Sequence, residues 1–217
     1  TKLSTVEVFD PELKRWEVLP ARLQTGRRCC TAAVLEGCVY VLGGEHTDDG
    51  ALSSVERFNE ERKRWGVVAP MRQCRSWLAA AVLRGRLYAM GGCDEGGNHL
   101  KTVERYDAER NMWEVVADMS TERNGCAAAV LEGKLFVMGG LNAQGQALSS
   151  VECYEPASNE WKQVAPMNKA RVGQAAAVWN GRLYVMGGNG AYSSVEWYDL
   201  ERNEWIEEEE EEEEEAG

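Results

Sequence analysis

The chain has 217 residues, a net charge of −12, seven cysteines and 44% hydrophobic residues. That length suits one compact domain, and the negative balance argues against a nucleic-acid partner, which needs a basic footprint on the protein. No apolar stretch is long enough to span a membrane, no signal peptide is visible, and the odd cysteine count without CxxC or Cys/His ligand spacing predicts a reducing, intracellular and cytoplasmic setting with no disulfide frame, metal or other cofactor.

The first predicted elements are two short strands. Val6-Glu7 and Phe9 lie in the first, and Trp16 lies in the second, seven residues beyond Phe9. After Arg27 comes an apolar run that ends at Glu36-Gly37, and a second run continues to Gly43-Gly44. A residue-plus-Gly pair between two short apolar runs predicts a tight β-hairpin, because such a turn needs positive φ. A polar loop then leads to Val55-Glu56 with Phe58, and on to Trp65. From here the chain repeats. Gly91-Gly92, Gly139-Gly140 and Gly187-Gly188 follow the first doublet at intervals of 48 residues, and Arg75, Arg123 and Arg171 follow Arg27 at the same interval. Val103-Glu104, Val151-Glu152 and Val195-Glu196 recur, with Tyr106, Tyr154 and Tyr198 and then Trp113, Trp161 and Trp205 behind them. A fixed period of this size means that one supersecondary unit is copied and stacked.

Within one unit, Ala127 to Leu131 predicts strand a and Leu135 to Met138 predicts strand b, joined by Glu132-Gly133. Strand c is expected around Ser150 to Tyr154 and strand d around Trp161 to Val164. Nothing in the unit has the length or period of a long helix. Each unit is therefore a four-stranded antiparallel meander. Strands a and b are apolar almost throughout, so both faces of the sheet need cover. Stacking such sheets radially gives a β-propeller. The Trp and Phe/Tyr of each unit are expected between adjacent sheets, burying ~150–250 Å² each.

The glycine doublet closing strand b, the Tyr in strand c, the Trp in strand d and the near-50 period resemble the kelch repeat, from Thr1 to about Ile206. The resemblance implies an all-β kelch β-propeller. Strand counting gives four complete blades, at about 24–69, 72–117, 120–165 and 168–206, preceded by half a blade of strands c and d within residues 1–20. The chain is therefore expected to be a piece of a larger propeller, and its incomplete edge predicts self-association. Residues 207–217 form an acidic tail predicted to be disordered. Glu207 to Glu215 carry nine of the negative charges, leaving −3 on the rest.

Antiparallel order brings the d-to-a connections and the b-to-c loops to one face. The b-to-c loops differ most between copies, so recognition is expected there. The resemblance implies that these loops and the entrance to strand a line a peptide pocket. Carried onto this chain, the candidates are Arg28, His46, Asp48, Ser76, Trp77, Asp94, Asn98, His99, Asn124, Asn142, Gln144, Asn189 and Tyr192. Trp77 replaces a small residue at its phase, and Trp is enriched among binding hot spots; its other reading is a plug for the channel mouth. The ring of Arg27, Arg75, Arg123 and Arg171 has two readings, a clamp for a carboxylate-rich ligand or a scaffold pairing with the strand-c Glu or loop carbonyls. Its presence in every blade favours scaffold. No nucleophile, phosphate-loop or zinc motif stands out. The resemblance then implies a non-enzymatic module that binds a protein or peptide, such as the substrate-recognition part of an adaptor. The alternative it leaves open is a sugar-acting propeller of the mutarotase or oxidase type.

Overall fold

Short β-rich runs closed by turn residues form strands throughout the described residues, 3–46 and 50–208 of this computed structural model. No helix occurs among them. The chain opens with a two-stranded half-blade, β1 (Glu7–Asp10) and β2 (Arg15–Val18). Blade 1 comprises β3 (Thr31–Leu35), β4 (Cys38–Leu42), β7 (Val55–Asn59) and β8 (Arg64–Val68), with a small hairpin, β5 (Glu45–His46) and β6 (Gly50–Ala51), in its b-to-c loop. Blade 2 is β9 (Ala79–Leu83), β10 (Arg86–Met90), β11 (Val103–Asp107) and β12 (Met112–Val115). Blade 3 is β13 (Ala127–Leu131), β14 (Lys134–Met138), β15 (Val151–Glu155) and β16 (Glu160–Val164). Blade 4 is β17 (Ala175–Trp179), β18 (Arg182–Met186), β19 (Val195–Asp199) and β20 (Glu204–Glu207). All four sheets are antiparallel meanders in sequence order. Strands c and d of blade 3 each begin or end one residue from the expected bounds. The β5–β6 hairpin has no counterpart in the sequence pattern, because two-residue strands leave no periodicity.

The inner strands pack in series, β3 on β9, β9 on β13 and β13 on β17. Local chemistry explains each turn. Glu36-Gly37, Arg84-Gly85, Glu132-Gly133 and Asn180-Gly181 all have two successive positive φ values, the geometry of a tight hairpin. The glycine doublets serve the joints between blades. A Cβ on Gly43 would lie 2.3 Å from the carbonyl of Arg75, one on Gly91 2.4 Å from that of Arg123, and one on Gly139 2.6 Å from that of Arg171. Only glycine lets neighbouring blades approach this closely. Gly187, which no further blade follows among the described residues, meets nothing nearer than 3.5 Å.

Each strand-c aromatic faces the strand-d Trp across the ladder, as in Tyr154↔Trp161 and Tyr198↔Trp205, with ring centroids 5.0 and 5.3 Å apart. It also meets a strand-b aromatic of the preceding blade: Tyr40–Tyr106, Tyr88–Tyr154 and Phe136–Tyr198 lie 5.7–5.8 Å apart. A polar latch completes these three joints. The Tyr154 hydroxyl donates to Asn159 Oδ1 at 2.8 Å, the same oxygen accepts from the Ala117 backbone N–H at 3.0 Å, and Trp161 Nε1 donates to the Ala117 carbonyl at 2.8 Å. Tyr106, Asn111 and Trp113 hold Ala69 in the same way, and Tyr198, Asn203 and Trp205 hold Ala165.

The first joint differs. Phe58 and Lys63 occupy the Tyr and Asn positions, and buried Trp65 Nε1 has no hydrogen-bond partner among the described residues. Trp16, expected between sheets, is instead 66% exposed. No blade precedes the half-blade among the described residues, so nothing covers its outer face. A cavity of about 680 Å³ between the half-blade and blade 1 is bordered by Val6, Val8, Val39, Phe58 and Trp65.

The arginine ring is buried. Arg27–Glu56, Arg75–Glu104, Arg123–Glu152 and Arg171–Glu196 pair at 2.7–3.1 Å, with every side chain at most 2% exposed. Each guanidinium also donates to the first carbonyl of its blade's glycine doublet, at 2.7–3.0 Å. The second oxygen of each Glu accepts a backbone N–H from the d-to-a connection, at 2.6–2.7 Å. A buried charge is tolerated when it is paired and its remaining sites are bonded. Both structural partners weighed for the Arg ring, strand-c Glu and loop carbonyls, are therefore present together.

Candidate functional site

The residue after each arginine bridges to the residue after the same blade's glycine doublet: Arg28 to Glu45, Ser76 to Cys93, Asn124 to Leu141 and Val172 to Asn189. This pairing brings the d-to-a connection and the b-to-c loop of each blade side by side. One residue further in, a second pattern links the blades. Trp77 N–H donates to the Cys29 carbonyl, Gly125 N–H to the Trp77 carbonyl and Gly173 N–H to the Gly125 carbonyl, at 2.8–2.9 Å. All four residues have φ between +53° and +70°. They form a head-to-tail rim of backbone hydrogen bonds that links successive blades.

Glycine suits that conformation and a bulky residue does not. Trp77 nevertheless holds φ +55° and keeps its side chain 48% exposed. Blades 3 and 4 use Gly125 and Gly173 at the same position. A large indole therefore stands on the rim at a position whose backbone favours no side chain.

The sequence candidates fall into two clusters and a remainder. The first lies between blades 1 and 2, around a cavity of about 320 Å³. Arg28, His46, Ser76 and Asp94 line it, together with Glu45, Cys93 and Glu95, which lie in the same loops but outside the candidate set. Arg28 Nε donates to Glu45 Oε2 at 2.8 Å, and Ser76 Oγ lies 3.1 Å from Cys93 Sγ. Asp94 accepts the Asn98 backbone N–H at 2.9 Å and its side-chain amide at 3.0 Å, and these bonds hold its carboxyl below the usual carboxylate range. Asn98 thus shapes the loop around Asp94. Asp48 lies outside the described residues. The overlooked Glu45 and Cys93 carried a signal: they sit directly after the glycine doublets, in the phase that varies from blade to blade.

The second cluster lies between blades 2 and 3. His99 Nδ1 is 2.6 Å from the Asn142 carbonyl, and Asn124 Nδ2 is 3.2 Å from His99 Nε2. A carbonyl only accepts, so Nδ1 carries the proton and Nε2 accepts from Asn124. Asn142 Oδ1 in turn accepts the backbone N–H groups of Gln144 and Gln146, at 3.0 and 2.9 Å. Asn189 and Tyr192 stand apart on blade 4, and Tyr192 is largely exposed. The two histidines belong to different clusters, and among the described residues no group of three or more His, Cys, Asp or Glu could hold a metal ion. Partial burial is the main cause that raises the Cys29 thiol above its ordinary range, which keeps it protonated and poorly nucleophilic near neutral pH.

The family model described as the "KLHDC2/KLHL20/DRC7 Kelch-repeats domain" matches residues 1–188 and again 79–216. The chain belongs to the kelch-repeat family. It is 33% identical over 63 residues to human Kelch-like protein 23, covering 29% of this chain and 11% of that protein. It is 39% identical over 69 residues to human Kelch-like protein 26, covering 32% and 11%, and 37% identical over 65 residues to human Kelch repeat and BTB domain-containing protein 6, covering 30% and 10%. The matched stretch spans about a tenth of the length of these curated relatives. Among solved structures, "Structure of YjhT" superposes with a TM-score of 0.81 at 14% identity, covering 94% of this kelch chain and 75% of that one. At that identity the likeness speaks for the fold alone, an all-β kelch propeller.

Proposed function

We propose that this kelch chain is a non-enzymatic interaction module that docks a protein or peptide on the rim formed by its d-to-a and b-to-c loops. Trp77 carries the reading. Backbone strain of about 1–3 kcal/mol persists where function maintains it, and here it presents a half-exposed indole at a blade-specific position. Two polar clusters flank it, the Arg28–Glu45–Asp94 cavity and the His99–Asn124–Asn142 bridge. An aromatic anchor with a polar surround is the usual anatomy of a binding hot spot. Relatives named "Kelch repeat and BTB domain-containing protein 6" and "F-box/kelch-repeat protein At4g39590" join such repeats to a further domain. By extension, this chain is the recognition part of an adaptor. All seven cysteines are free thiols, which favours work in a reducing compartment.

Trp77→Gly tests the reading, because Gly is what blades 3 and 4 already use there. If Trp77 only plugs the channel, its loss changes stability and leaves capture of a partner intact. If it anchors a partner, a protein captured by the purified chain in crosslinking pull-downs is lost, with affinity down by roughly 30-fold or more, while the folded state is undiminished. Arg28→Glu is expected to lose the same protein. Undiminished capture by both variants refutes the proposal.

A further inference from the structure

Strands c and d of blade 1 carry three arginines without counter-charges. Arg57, Arg62 and Arg64, with Asn59 and Gly66, line a cavity of about 150 Å³. Ladder register explains the grouping. Arg57 stands opposite Gly66 and Asn59 opposite Arg64, so these four positions share one face of the sheet. Val68 lies on that face too, and it packs with Tyr106 and Trp113 of blade 2.

Blade 2 neutralises the same arrangement. Its Arg105, at the position of Arg57, pairs with Glu114 at 2.8 Å, and its Arg110, at the position of Arg62, lies 3.9 Å from Asp107. Blade 1 keeps both arginines and lacks both carboxylates, with Gly66 in place of Glu114 and Asn59 in place of Asp107. It adds Arg64 where blade 2 has Met112. Asn59 still holds the turn: its Oδ1 accepts the Arg62 backbone N–H at 2.7 Å, as Asp107 Oδ1 accepts that of Arg110 at 3.1 Å. The hydrogen bond is retained and only the charge is gone. At this position the other copies have Asp10, Asp107, Glu155 and Asp199. No residue lining the cavity is acidic, and Glu60 of the same turn pairs with Lys63 instead. Glycine inside a strand marks a bulge, a close backbone approach or a bound ligand. The ladder passes through Gly66 without a bulge, and a Cβ there would meet nothing within 4 Å. What Gly66 supplies is room beside the guanidinium groups.

We infer that this cavity binds a phosphate group. Guanidinium forks match pairs of phosphate oxygens, and an anion there relieves the repulsion among like charges held on one face. The volume is below the ~300–1,000 Å³ of sites that enclose a whole organic ligand. It suits the phosphoryl group alone, either free or carried on a side chain. The net charge of −12 repels anions in general, so the attraction is local to this cluster. The c-to-d turn emerges on the face opposite the loop rim, so the site is independent of docking at Trp77.

Phosphorus NMR of inorganic phosphate and of phosphoserine, each titrated with the whole chain, tests the site. The chain is expected to bind these probes, and the tighter of the two identifies the source: phosphoserine a group borne on a protein, inorganic phosphate a free anion. Gly66→Glu and Arg64→Met install the residues that blade 2 already accommodates, and each should weaken binding about tenfold or more. Gln163→Glu adds the same charge as the first at an exposed position of blade 3 and should change binding by less than about twofold. Circular dichroism checks the fold of each variant. The inference is overturned if neither probe binds the unaltered chain at up to about 10 mM, if a folded Gly66→Glu or Arg64→Met variant binds as the parent does, or if Gln163→Glu weakens binding equally.

Discussion

Arg123→Met tests the buried ion pairs that recur in every blade. The Arg123 guanidinium contacts the Gly139 carbonyl at 3.0 Å, the Ser150 carbonyl and hydroxyl at 2.9 Å each, and Glu152 Oε1 at 3.1 and 3.2 Å. Methionine keeps much of the volume and removes all of these donors. The Glu152 carboxylate would then remain wholly buried, with the Ser120 N–H, at 2.6 Å, still bonded to it. Stranding one partner of a buried pair costs about 3–5 kcal/mol, against about 0–1 kcal/mol for an exposed pair. For a chain of this size that corresponds to a fall in Tm of roughly 6–20 °C. Urea titration followed by tryptophan fluorescence, with calorimetry alongside, measures the loss. The double variant Arg123→Met/Glu152→Leu removes the orphaned charge and is expected to be less destabilised than the sum of the singles, by about 1 kcal/mol or more. A single-variant loss below about 1 kcal/mol, or additive behaviour in the double, would show that the pair does not hold the blade together.

Three further outcomes follow from the packing. Gly91→Ala forces a Cβ to 2.4 Å from the Arg123 carbonyl at φ +60°, whereas Gly187→Ala at φ +62° meets nothing inside 3.5 Å; the first should lower the urea midpoint well beyond the second, whose cost is about 1–2 kcal/mol, and equal losses would contradict the role given to the doublets. Phe58→Tyr with Lys63→Asn rebuilds the missing latch at the first joint and should gain about 1 kcal/mol, seen as slower hydrogen exchange in residues 3–23, with unchanged exchange as the refuting result. Burial raises the Tyr106 hydroxyl from 10 to about 12 and moves those of Tyr40, Tyr154 and Tyr198 the same way. The folded state therefore holds these protons more tightly than the unfolded chain, so their contribution is complete below pH 10 and lost as pH rises towards 12; a urea midpoint flat across that interval would contradict it.

The blades were legible because their landmarks are repeated. Glycine doublets, hairpin turns and the Tyr/Trp pair recur in one phase, and each has a local physical cause that a sequence displays. The buried Arg–Glu pairs were half legible, since a shared period suggests a shared partner without saying whether both groups are enclosed. An exposed edge was legible in the strand count, but which aromatic would bear the exposure was not. Trp16 carries the same motif as Trp113, and only the absence of a covering sheet distinguishes them. The loop face was legible as a region and less so as a set of contacts. Asp94 and Asn98 read from sequence as ligand contacts and bond to each other, while Glu45 and Cys93 open the same variable loops and line the cavity beside them. Nothing in sequence spacing announced that His99 would reach across to Asn124 and Asn142, for that bridge depends on how two blades meet.

The arginine–glutamate pairs have a consequence for how such chains change over evolutionary time. Both charges of each pair belong to one blade, whereas the aromatic, tryptophan and glycine contacts cross to the neighbour. Duplicating or deleting a whole unit therefore leaves no ion stranded in the interior, and the new neighbours meet through apolar surfaces that already share one shape. Copy number can drift by unequal recombination without electrostatic penalty, while each loop remains free to diverge.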